Sequence, residues 1–430
     1  MSDGGLSLDS PDSTPKLQQK HWLRTFEAFS VPNYRWFFGS LLCGFASMNM
    51  QMFVRGWLGF EITGSYEKLG WMTAAGGIVG LLAAPLGGVV ADRVRQKKHV
   101  LQLSGIANGI ITFAIAYYIV TGSLVFEHLL LASILQGITF NGMFPSKQAL
   151  IKDVVGLGLL TSAIGLSNTG MNAARLLLPG LAGGMVASLG GGYGNIEPAK
   201  WVYVGMGALY VLSVLFLIKV DVPDRRPVVE HSESVTQQLA GGFQYVLDTP
   251  VIFMLLGFNF LMAFFGMTYY MLLPGFVKEV LNAGPDKLGL IISVSGIGSL
   301  IGSLIIASLP SRNRARVLLG GTLLMGIALL GFSFSSNYWL SLVLLAIVGL
   351  GSVARMSLTN VLLQTFVDSD YRGRVMSIYT LEMAVLSISI YPVSVAADIF
   401  GPQWAVGVSA ACLIALVLIL FNVPSYRNLD

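Results

Sequence analysis

The stretch GGVVADRVRQKK, from Gly87 to Lys98, is a short basic turn between two long apolar runs, and a worn copy of it returns in the second half of the chain. Leu69-Gly70, Gly77 and Arg93/Arg95/Lys97 align with Leu288-Gly289, Gly296 and Arg312/Arg314/Arg316. A hydrophobic chain that carries one helix–basic loop–helix unit in each half reads as a duplication. Internal repeats of this kind mark secondary transporters. The two halves are therefore expected to fold alike.

Only 11% of the 430 residues are charged and 54% are apolar, against roughly 25% charged in a soluble domain. A water-soluble globule is excluded. The length suits about twelve spans of roughly 20 residues. Apolar runs between polar punctuation predict spans near 36–60, 69–91, 99–120, 128–150, 159–188, 201–219, 251–274, 287–309, 317–334, 338–363, 375–397 and 403–422. The fifth is long enough to tilt or to kink at Pro179. The first 20 residues are polar, which argues against a cleavable signal peptide. Cys43 and Cys412 fall in apolar spans near opposite ends of the chain and read as buried filler.

An even number of spans places both termini on one side. Lys16, Lys20, Arg24, Arg35, Arg93, Arg95, Lys97, Lys98, Arg225, Arg226, Arg372 and Arg374 lie in connections on that side, whereas the opposite loops hold Lys68, Lys200, Lys278 and Lys287. The positive-inside rule makes the termini cytoplasmic. The expected organisation is a polar tail over 1–16, an interfacial amphipathic helix over 17–31, and a six-span bundle over 32–219. A cytoplasmic linker over 220–250, helix-like from Val235 to Leu247, leads to a second six-span bundle over 251–422 and a tail over 423–430. In the interfacial helix, Trp22, Phe26 and Phe29 share one face.

The motif at Gly87–Lys98 resembles the loop of the major facilitator superfamily that commonly reads G-x-x-x-D-R-x-G-R-[KR]. Gly88, Asp92, Arg93, Lys97 and Lys98 match, and Arg95 replaces the usual Gly. RGWLGFEITGS (Arg55–Ser65), PSKQALIKDVV (Pro145–Val155), the spacing Asn168–Asn172–Arg175–Pro179, and NVLLQTFVDSDYRGRVMSIY (Asn360–Tyr379) are similar to the enterobactin-exporter-like subgroup. The resemblance covers roughly residues 26–422. It implies twelve helices, a central cavity between two bundles, alternating access, and a cytoplasmic latch at Gly88, Asp92, Arg93 and Lys97. A competing reading gives the basic residues there only the task of facing the anionic leaflet. LLLPGLAGG (Leu176–Gly184) resembles the family's antiporter motif through Pro179 and Gly183, which favours export. Simple close packing and a bend compete with that reading.

Ionisable groups inside apolar spans default to functional hypotheses. Arg55, Arg175, Arg355 and Glu382 are the convincing ones, and together they leave a positive interior. Arg55 lies near the outer end of the first span, with Gln51 one turn away, and could snorkel outward. Asn168, Asn172 and Arg175 form one stripe of the fifth helix, which must face protein, water or substrate rather than lipid. Arg355 and Glu382 both sit ~10–12 Å deep at ~1.5 Å per residue, and are expected to pair because each alone would be an uncompensated buried charge. An unpaired Glu382 would instead be a candidate proton site. Met48, Met50, Met52, Asn259, Tyr269 and Tyr270 lie in the first and seventh spans, which the resemblance puts at the cavity. Ordinary packing competes there. Gly76/Gly80 and Gly298/Gly302 read as helix-packing pairs.

No GxxxxGK[ST] occurs, and His21, His99, His128 and His231 have no metal spacing. No enzyme constellation, metal or cofactor is expected. The leading reading is a multi-pass transporter of a bacterial inner membrane. It would export an amphipathic, anionic small molecule such as a siderophore-like metabolite or drug. Its partners would be that substrate, the bilayer and a coupling proton; nucleic acid is not expected, and the chain is read as a monomer. Ser133 stands where many proton-linked members carry Arg, which leaves the proton open. Uptake by the same fold and a scaffold or receptor without flux are the alternatives.

Overall fold

The computed structural model describes residues 26–93, 96–222, 235–309 and 312–424. Among them the chain is all helical, with no named strand. The first bundle holds α1 (Pro32–Thr63), α2 (Tyr66–Arg93), α3 (Lys97–Val120), α4 (Phe126–Val155), α5 (Leu160–Ser188) and α6 (Ala199–Ile218). After α7 (Val235–Asp248), the second holds α8 (Pro250–Met267) with α9 (Tyr269–Glu279), α10 (Pro285–Ser308), α11 (Arg314–Ser333) and α12 (Tyr338–Phe366). It ends with α13 (Arg372–Thr380) joined to α14 (Glu382–Phe400), and α15 (Pro402–Phe421). Nine of these are long and apolar enough to cross a membrane, counting α8–α9 and α13–α14 as one span each. The long helices α2, α4 and α5 complete the twelve.

Local chemistry sets the ends of several helices. Pro32, Pro250, Pro285 and Pro402 open helices where a missing N–H costs nothing. Gly64 closes α1 in the left-handed region, at φ 60°. The Asn337 side chain caps α12 by accepting from the Trp339 and Leu340 amides at 2.9 and 3.1 Å.

The sequence repeat has a spatial counterpart. A Cβ on Gly137 would strike the Gly76 carbonyl, where α4 packs on α2; a Cβ on Gly349 would strike the Ser295 carbonyl, where α12 packs on α10. Between the bundles, α2 packs on α14 and α5 on α10. Gly70 approaches Ser394 and Gly289 approaches Pro179, so the paired Leu-Gly steps do the same job in each half. Leu69 and Leu288, beside them, are both almost fully buried.

Two expectations on the edges change. Residues 17–25 of the proposed interfacial helix lie outside the described residues, and Glu27–Ser30 is a single 3-10 turn rather than α-helix. That turn docks on protein: the Ala28 amide donates to Ser162 Oγ at 3.2 Å and the Phe29 ring meets Phe38 edge-on at 5.0 Å. The linker helix is present as α7, one residue longer than expected. The seventh and eleventh spans each break, at Thr268 and Leu381.

Candidate functional site

The face at which Thr63, Tyr66, Ser188, Glu279 and Phe400 lie, opposite the ends of the chain, is closed by contacts between the bundles. The Glu61 carboxylate sits 2.8 Å from Lys278 Nζ and accepts from the Gly194 amide at 2.7 Å. Lys278 lies between the Phe60 and Tyr193 rings, at 5.8 and 5.3 Å. Tyr193 donates to the Lys278 and Ala283 carbonyls at 3.1 and 3.0 Å, and Tyr66 donates to Glu279 at 2.8 Å. Seams of close glycine approach continue this closure toward the middle. On α5 and α10 they run through Gly183 on Pro285, Gly180 N–H on Ser293 Oγ at 3.2 Å, and Leu176 on Gly296. On α2 and α14 they run through Gly70 on Ser394 and Gly77 on Ser387. Pro179 and Gly183 of the motif read for export are thus seam residues. No Cβ fits at Gly183, nor at Gly289 where it meets the Pro179 carbonyl.

Arg175 follows directly beneath this seam, one residue from Leu176, near the midpoint of α5. It is exposed, as are Asn168 and Asn172 on the same stripe, while Ala163, Leu166 and Ala174 on the rest of the helix are buried. A guanidinium held about 20 Å from the Ser188 end by helix rise cannot face hydrocarbon. It requires protein, water or a ligand beside it. Its charge acts on the phenols of Tyr269 and Tyr270, the first two residues of α9 after the break at Thr268. Asn172 and Asn168 lie one and two turns from Arg175 on the same exposed stripe of α5.

Arg55 does not snorkel. Its Nη1 donates to Gln136 Oε1 at 2.9 Å, and its charge acts on Tyr203 and Tyr210. Gln51 is buried and accepts from Tyr210 at 3.5 Å. This polar knot lies within the first bundle. Gln136, Tyr203 and Tyr210 were not singled out as site residues; the seven-residue spacing of the two tyrosines on one face of α6 was the available signal. Lys147 was missed as well. It is 5% exposed on α4, with Nζ 4.0 Å from the Phe45 ring, and sequence position alone placed it near a loop.

Arg355 and Glu382 meet, with Nη2 2.8 Å from Oε1, and Asn259 joins them. Asn259 Oδ1 accepts from Arg355 Nη1 at 2.8 Å, and its Nδ2 donates to Glu382 Oε2 at 2.9 Å. The Nη2–Oε1 approach is close enough for Coulomb attraction but misaligned as a hydrogen bond, and Arg355 Nε has no partner. Arg355 is 0% and Glu382 4% exposed. In this state the three residues tie α8, α12 and α14 together and do not line open space. The pairing also removes the condition under which Glu382 alone would be a proton site. Gly88, Asp92 and Arg93 belong to the last turns of α2 and their side chains lie outside the described residues. Lys97 opens α3.

Comparison with known proteins bears on the family and the fold. The sequence profile described as Major Facilitator Superfamily matches residues 36–381 and 260–428. The chain is 22% identical to the Staphyloferrin A transporter of Staphylococcus aureus, over 77% of this chain and 82% of that one. It is 26% identical to the Multidrug efflux pump Tap of Mycolicibacterium fortuitum, over 60% of this chain and 62% of that one. In structure it is similar to a variant of the nucleoside transporter NupG, with TM-score 0.73 and 12% identity, covering 90% of this chain and 98% of that one. The inward-open xylose transporter XylE from E. coli is similar at TM-score 0.66 and 13% identity, covering 92% and 95%.

Proposed function

The chain belongs to the Major Facilitator Superfamily, a family of secondary transporters, and we propose that it exports an amphipathic organic anion by alternating access. The observation that carries the reading is Arg175: an exposed cation at mid-helix, one residue from the Leu176–Gly296 contact of the closed seam. With Arg355 neutralised by Glu382, Arg175 is the exposed cation among the described ones inside the bundles, whereas Arg55 and Lys147 are turned into the first bundle. The exposed carboxamides of Asn168 and Asn172 on the same stripe, beside an otherwise apolar helix, suit a ligand that is charged at one end and apolar at the other. The similarity to a siderophore transporter and to a multidrug efflux pump supports the same ligand class.

Sidedness follows from charge. Arg93, Lys97, Lys98, Arg372 and Arg374 cluster at the end that bears the termini, so that end is cytoplasmic in this reading. The seam is then closed on the outside and the polar stripe of α5 opens to the cytosol, as a carrier awaiting a cytosolic ligand requires. Each ligand shifts the equilibrium only by its differential affinity for the two states.

An Arg175→Gln variant is expected to lower transport of an anionic amphiphile by about 10- to 100-fold, the equivalent of losing one charge-assisted hydrogen bond. Transport of a neutral analogue should be spared. Equal loss for both would assign Arg175 to structure. Direction is read from a fluorescent amphiphile in cells with and without the protein: lower accumulation supports export, and higher accumulation replaces it with uptake.

A further inference from the structure

Asp398 lies near the end of α14, and its carboxylate crosses to the other bundle. Oδ1 accepts from the Tyr66 amide at 2.8 Å; Oδ2 accepts from the Glu67 amide at 2.8 Å and from the Ser65 hydroxyl at 2.7 Å. Tyr66 and Glu67 open α2, so these amides are unsatisfied donors at the positive end of a 28-residue helix. A local cap is already present, because Ser65 Oγ accepts from the Lys68 amide at 3.2 Å. The carboxylate is therefore an addition to the cap, and it exists only while the bundles touch at this face.

The surroundings make the contact part of the seam. Tyr391 donates to Glu67 at 3.1 Å and its ring packs tilted against Trp71 at 4.7 Å, one turn from the Gly70–Ser394 approach. At the opposite end of the same helix stands Asp92, to which the family resemblance gives the cytoplasmic latch. We infer that Asp398 is a second latch on the α2–α14 pair, holding its outer ends together in the state seen here and releasing the α2 N-terminus in each transport cycle. The inference rests on the alternating-access reading above. Asp398 acts through helix position and touches no substrate, so it is a positioning residue.

The test uses full-length protein in nanodiscs, with Cys43→Ser and Cys412→Ser, and two reporters labelled by a maleimide. Ser394→Cys lies buried in the outer seam, and Asn168→Cys lies on the exposed stripe. With Asp398 intact, the seam-breaking Gly183→Ala must move the two labelling rates in opposite directions; if it moves neither, the α5–α10 seam is static and the reading of this face as a moving gate fails, whatever Asp398 does. With that established, Asp398→Ala is expected to speed labelling at Ser394→Cys by about tenfold, the size of a charge effect at a helix terminus, and to slow it at Asn168→Cys. Asp398→Asn, which keeps an acceptor without the charge, should fall between and covers the case in which the alanine variant does not fold. Unchanged rates, or faster labelling at both reporters as from general loosening, would overturn the latch.

Discussion

An Arg355→Met variant is expected to lose about 3–5 kcal/mol of stability, because it leaves the Glu382 carboxylate buried with Asn259 as its remaining donor. Glu382→Gln should cost a similar amount by stranding the guanidinium. The double variant Arg355→Met/Glu382→Gln should be milder than either single one, since no net charge stays uncompensated. Thermal unfolding of the four purified proteins decides the matter. A double variant as unstable as the sum of the singles would show that the two residues act independently. The prediction is large because Arg355 is fully buried, so solvent screening does little for it. Many exposed ion pairs contribute nothing measurable by comparison.

The second large effect concerns the seam. A Cβ on Gly183 would collide with the Pro285 carbonyl oxygen and stand 3.0 Å from Phe53 Cζ. Backbone cannot rotate away as a side chain can, so Gly183→Ala should disfavour the closed outer face by about 1–3 kcal/mol. That is a ~5- to ~150-fold shift between the two states. Transport should fall accordingly while folding is retained, because the opposite conformation has no such contact. Gly298→Ala is the contrast. Its Cβ would collide with the Ala346 carbonyl inside the second bundle, a contact that both states keep. It should lower the unfolding temperature without redistributing the states. If Gly183→Ala behaves like Gly298→Ala, the α5–α10 contact is static and the seam does not open there.

Several site elements could be read from the chain before any coordinates. The pairing of Arg355 with Glu382 follows from equal depth and the cost of a lone buried charge. The α5 stripe follows from the spacing of Asn168, Asn172 and Arg175. What escaped were partnerships across remote segments: Asn259, expected at the cavity, lies 96 and 123 residues from the two ions it bridges; Gln136 turns Arg55 inward; and Asp398 reaches the start of α2. The breaks at Thr268 and Leu381 escaped too, since both interrupt runs whose hydropathy is continuous.

From composition and periodicity alone, the chain is committed to helices in a bilayer, because every backbone polar group in hydrocarbon must be satisfied within its own segment. The repeat and the placement of arginine and lysine add two like halves and a preferred orientation. Those are local or one-dimensional properties. Which of the two bundle faces is closed, which cation is neutralised and which is left exposed depend on contacts between segments far apart in sequence. In a chain whose helices are apolar nearly all round, hydropathy cannot rank one such contact above another; close glycine approach and the pairing of a few charges do, and both exist only once the bundles are packed.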